Sequence, residues 1–119
     1  MVNNVVEIYM DRKADKLVKE KDADIIAIKC EDKKYEIIRN AKKNNPNAIG
    51  CDISLASYKF SDKITAKVNA RKDKFNADMK ALNDLRKDVY AHLELAFDFK
   101  SKMAVLKDFG IVKDNKIGA

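Results

Sequence analysis

The chain has 119 residues, of which 46% are hydrophobic and 37% charged. That is too apolar for a disordered chain and rich in charge for a compact globule, and with no Trp and only four Gly and Pro residues it points to an elongated helical protein with much solvated surface. The net charge of +6 is spread out, with 12 Lys/Arg against 10 Asp/Glu up to Phe60 and 13 against 9 from Ser61 onward, which excludes a dedicated basic tail.

The two cysteines, Cys30 and Cys51, form no CxxC pair, so zinc and thioredoxin-like chemistry have no support. They are expected to be reduced, buried thiols. The N-terminus lacks a basic segment followed by a continuous apolar one, and no window approaches the ~18 apolar residues of a membrane span. The expectation is one cytoplasmic domain over 1–119 that makes no membrane contact. The Lys, Asn, Asp and Ile content resembles that of AT-rich genomes, phage genomes among them.

Helix breakers organise the chain. Pro46 is the single proline, and glycines stand only at 50, 110 and 118. Two long tracts, 1–45 and 51–109, therefore lack both residues that most strongly interrupt local structure. In the first, Asn4 and Glu7 have the spacing of a capping box. Met10, Leu17, Ile28, Tyr35 and Ile38 form an apolar stripe, widened by Val6, Ala14, Ile25 and Ala41. Lys42 and Lys43 suit a helix C-terminus, and Pro46 forces a stop. Helix 1 is expected over about 5–43.

The connection 44–61 holds Ile49, Ile53, Leu55, Tyr58 and Phe60. So many apolar groups predict a segment folded against the helices, forming a decorated tip that either closes the bundle or meets a partner. Ile53, Leu55, Tyr58 and Phe60 are the candidate partner-binding residues.

The second tract opens with Ser61 as an N-cap and Asp62 in the first turn, where a carboxylate is favoured. Its stripe runs Ile64, Val68, Phe75, Met79, Leu82, Val89, Leu93, Phe97 and Ala104. At its end Gly110 fits the left-handed position of a Schellman motif, with Leu106 and Ile111 placed for the accompanying contact. Helix 2 is expected over about 62–108, followed by a tail at 109–119. Helices of roughly 40 and 47 residues would extend about 60 and 70 Å at 1.5 Å per residue.

The fold class expected is all-α, a long antiparallel helical hairpin with a decorated tip that packs as a multi-helix bundle in an oligomer. The competing reading is α+β. It rests on apolar alternation at Leu93, Leu95, Phe97 and Phe99, and on the apolar groups flanking Glu31–Lys34, with short strands at 25–38 and 92–100.

Drawn as one helix, Val89–Lys100 has an apolar arc roughly 220° wide, about twice what one packing partner requires. Tyr90, Leu93, Leu95, Phe97 and Phe99 are therefore the candidate oligomer interface. His92, the only histidine, lies within this arc, one turn after Asp88, and reads as a hydrogen-bonded core residue or a pH-sensitive group.

Lys63, Lys67, Arg71 and Lys74 share one edge of helix 2, and Arg12, Lys16 and Lys19 an edge of helix 1. Such stripes suit phosphates or are solvated bundle edges. No metal-ligand spacing, Gly-rich phosphate loop, helix-turn-helix or carboxylate pair suited to acid–base work is present. The leading expectation is a non-enzymatic binding and assembly protein, without cofactor, that associates with itself as a dimer or higher oligomer and with an unidentified protein partner. The alternative is a binder of nucleic acid or a phosphorylated ligand, nucleotides included, through the Lys63–Lys74 stripe, such as a phage or mobile-element accessory protein.

Overall fold

The computed structural model describes residues 1–47, 49–114 and 116–118. The fold is all-α, with helices α1 (Val2–Lys29), α2 (Lys33–Asn44), α3 (Ile49–Ala56), α4 (Asp62–Glu94) and α5 (Phe99–Asp108). A small antiparallel pair, β1 (Val112–Lys113) and β2 (Lys116–Ile117), follows, with Val112 opposite Ile117. Neither expected strand region forms a strand, and both contain helix ends instead. The described residues divide into two compact units, 1–19 with 75–119, and 20–74.

In the first unit α1 and α4 run antiparallel. Glu7 meets Arg86 and Tyr90, while seven residues further along α1, Ala14 shares a cleft with Met79. The core comprises Val6, Tyr9, Met10, Val89, Leu93, Leu106, Ile111 and Val112. The helix-ending motif read from the sequence closes it. Ile111 N–H donates to Leu106 C=O at 2.9 Å and Gly110 N–H to Lys107 C=O at 3.0 Å, with Gly110 at φ +75°. Leu106 and Ile111 are both fully buried. The motif thus turns the chain so that the β-pair follows immediately after α5. Gly118 N–H donates to Ile111 C=O at 2.7 Å, and a Cβ at Gly118 would stand 2.7 Å from Gly110 O, too close for a side chain.

In the second unit α1 and α4 are again antiparallel, since Asp24 pairs with Arg71 and Glu31 with Lys67. Tyr35, Ile64 and Val68 are buried there. Tyr35, Tyr58 and Phe60 form an aromatic triangle with centroids 4.8–5.4 Å apart, in edge and tilted geometries that suit the ring quadrupoles. Ser61 caps α4 as expected, accepting from Ile64 N–H at 3.3 Å.

Helix 1 is not continuous over 5–43. It ends at Lys29 and resumes at Lys33 as α2. At the end of α1 the hydrogen bonds shorten from the four-residue to the three-residue pattern, with Glu31 N–H donating to Ile28 C=O and Asp32 N–H to Lys29 C=O. Asp32 then caps α2, accepting from Lys34 and Tyr35 N–H at 3.0 and 3.4 Å. Its other carboxylate oxygen accepts the Tyr58 hydroxyl at 2.7 Å. A cap residue held by a distant tyrosine thus interrupts the helix without glycine or proline. The Asn4 capping box is not used, because α1 already begins at Val2.

Helix 2 breaks likewise, ending at Glu94 and resuming at Phe99. Asp98 caps α5, accepting from Ser101 N–H at 2.7 Å. The break brings Leu106 into the same core as Val89 and Leu93, burial that a straight helix would not have given it.

Candidate functional site

The break between α4 and α5 forms an exposed apolar corner. Leu95, Phe97 and Phe99 are 79%, 99% and 55% exposed. The single wide arc expected from Val89 to Lys100 therefore does not exist, because these residues do not lie on one helix. Its two ends have opposite fates. Leu93 is buried in the core of the first unit, and Tyr90 is half-buried with its hydroxyl donating to Glu7 at 2.6 Å. Leu95, Phe97 and Phe99 are left to solvent. Glu94 precedes them in sequence, Asp98 lies between Phe97 and Phe99, and Lys100 and Lys102 follow, so both charge signs border the corner.

His92 is exposed, which corrects the core reading. Nδ1 lies 2.8 Å from the backbone oxygen of Asp88, not its carboxylate, and the ring packs edge-on against Phe109 at 5.1 Å. His92, Val105, Asp108 and Phe109 line a shallow cleft of about 250 Å³.

Beside the α1–α4 seam of the first unit, Glu7 Oε1 accepts from Arg86 Nη2 at 2.6 Å, Arg86 Nε at 3.0 Å and the Tyr90 hydroxyl. The Tyr90 hydrogen bond, then that from Arg86, holds the Glu7 carboxyl below its usual range, whereas burial and then Glu7 push the Tyr90 phenol up. Glu7 is thus a fixed acceptor. In sequence Glu7 stands only at a capping-box position; the 79 residues to Arg86 put the partnership beyond any local pattern.

The basic stripe is brought together only in part. Lys67 Nζ pairs with Glu31 at 2.9 Å and Arg71 Nε with Asp24 at 2.8 Å. A phosphate would have to displace a carboxylate at each. Arg71 Nη1 is buried with no hydrogen-bond partner among the described residues. Lys63 and Lys74 are exposed, but eleven positions apart on α4, about 16 Å. On α1, Arg12, Lys16 and Lys19 lie in the first unit.

At the connection, Ile53 is 64% exposed on α3, one turn from Ile49 at 72%, and Ile37 on α2 is 68% exposed. Leu55 is half-buried, and Tyr58 and Phe60 are drawn into the aromatic triangle instead of being presented to solvent. Lys29 Nζ stands 5.6 Å above the Phe60 ring. Asp52, the only charged residue of α3, binds Lys42 Nζ at 2.6 Å, and Pro46 C=O accepts from the same ammonium at 2.8 Å. Cys30 and Cys51 are free thiols, half-buried instead of fully buried.

Among the described residues no group of three His, Cys, Asp or Glu side chains is placed to hold a metal ion, and no helix is long and apolar enough to cross a membrane. The chain matches no protein-family model, no curated protein and no solved structure.

Proposed function

We propose that this protein is a non-enzymatic binding and assembly protein that associates with a second copy of itself through the α4–α5 corner and offers α3 to a protein partner. The observation that carries the reading is the exposure of Leu95, Phe97 and Phe99 together at one break, with Phe97 at 99%. Single exposed apolar residues are ordinary, but three large ones within five positions mark a contact surface. A second copy suits it, because the corner carries both signs of charge. A twofold contact sets each patch against itself, so carboxylates Glu94 and Asp98 of one copy can meet Lys100 and Lys102 of the other. On α3 the Asp52–Lys42 pair neutralises the one charge, leaving Ile49 and Ile53 as an apolar ridge for the partner.

The test is solution mass by light scattering for wild type and for Phe97→Ser. Burying one such side chain is worth about 1.5–3 kcal/mol, and a twofold contact buries two. The substitution should therefore weaken association by roughly 100-fold or more while leaving the circular dichroism spectrum unchanged. A wild-type mass that stays at 13.5 kDa up to several hundred micromolar would refute self-association.

A further inference from the structure

The positive charge is concentrated at α2–α3. Residues 33–60 carry six lysines and arginines against Glu36 and Asp52, although the segment is under a quarter of the chain. Within it Arg39, Asn40, Lys42, Lys43 and Leu55 line a cavity of about 470 Å³, within the range of small-ligand sites.

The three cations of this cavity are not equivalent. Lys42 is held by Asp52 and by Pro46 C=O, which ties the end of α2 to α3 and neutralises its charge. Neither Arg39 nor Lys43 has an ion-pair partner among the described residues. They stand one turn apart on α2, so their side chains are neighbours. Arg39 is half-buried, which lessens screening of its charge, whereas Lys43 reaches solvent. Asn40 adds amide donors and Leu55 an apolar wall. Two open cations, one of them a guanidinium fork, match a single dianion better than a monoanionic carboxylate.

We propose that this cavity binds a small ligand bearing a phosphomonoester, with the dianion held between Arg39 and Lys43 and the adjoining apolar part of the ligand against Leu55. The site is separate from the Lys63–Lys74 stripe, whose central members are occupied by carboxylates, and it does not depend on self-association. A phosphomonoester can belong to a free metabolite or to a lipid headgroup. The second phosphate ionisation falls at pH ~6. Affinity should therefore rise between pH 5 and 7, as the ligand becomes a dianion.

Calorimetric titration of the full chain with phenyl phosphate tests the site. Saturable binding is expected, tighter at pH 7 than at pH 5, and weakened roughly 10-fold or more by Arg39→Gln or Lys43→Gln. Lys107→Gln, on α5 of the other unit, should bind as wild type does. Both cavity substitutions replace cations that have no ion-pair partner among the described residues, and an unchanged circular dichroism spectrum verifies their fold. Co-sedimentation with vesicles of phosphatidic acid or of phosphatidylcholine alone separates the sources. Retention by phosphatidic acid only, lost in the double variant, assigns a lipid headgroup. Phenyl phosphate binding without vesicle retention assigns a free ligand. The proposal is overturned if wild type shows no saturable binding to phenyl phosphate at pH 7, or if the Arg39→Gln, Lys43→Gln double variant binds as tightly as wild type. Solution mass is measured separately, so failure here leaves the assembly reading untouched.

Discussion

Leu106 and Leu95 give a matched test of the core of the first unit, since the same substitution falls on a fully buried residue and on one 79% exposed. Leu106→Ala removes three carbons from a site packed with Val6, Val89 and Ile111. The transfer part is about 2.4 kcal/mol at ~0.8 kcal/mol per methylene. A residual cavity adds to this, but Leu106 lies in the last turn of α5, next to a two-residue β-pair that can shift inward. Partial collapse keeps the total near 3 kcal/mol, within the observed range of roughly 2–5 kcal/mol. With a urea slope of about 1–3 kcal/mol per molar, the midpoint should fall by roughly 1–3 M. Leu95→Ala loses no comparable packing and should cost under about 0.5 kcal/mol. The assay is urea unfolding followed by helical circular dichroism at low micromolar protein, where association contributes least. Equal midpoint shifts for the two variants would refute the placement of the α4–α5 break, because a straight helix would not distinguish the residues in this way.

Two further outcomes follow from named contacts. Asp32→Ala removes both the cap of α2 and the acceptor for Tyr58, so amide exchange at Lys34 and Tyr35 should quicken roughly fivefold or more; unchanged protection there would show that the cap does not hold the break. Glu7 has a folded-state pKa below its ordinary value because of Tyr90 and Arg86, so its stabilisation is complete above the ordinary glutamate range and is lost as pH falls through the folded-state value. Unfolding midpoints measured from pH 7 to pH 3 should therefore drop less steeply in Glu7→Gln than in wild type, and identical acid slopes would count against the network.

The sequence alone determined the helical class, the start of α4 and the end of α5. The physics at those points is local. Ser61 satisfies an N–H three residues away, and Gly110 takes a left-handed conformation that other residues resist, with Leu106 and Ile111 five positions apart. Ile64, Val68, Val89 and Leu93 were legible as core from their spacing and are buried. Tertiary structure decided the two breaks. Asp32 and Asp98 are good caps, but each lies inside an apolar pattern that reads equally well as continuous helix. What selects the break at Asp32 is a hydroxyl 26 residues away, and at Asp98 the burial of Leu106 against Val6 from the other end of the chain. The candidate sites followed from those choices. Phe97 belongs to the same periodic stripe as Leu93, yet one is buried and the other 99% exposed because the helix stops between them. Lys67 and Arg71 resemble Arg39 and Lys43 as sequence, and only the carboxylates of α1 and its terminal turn, Asp24 and Glu31, separate the occupied pair from the open one. Charge pairing across helices has no local signature, so no pattern of spacing could have told them apart.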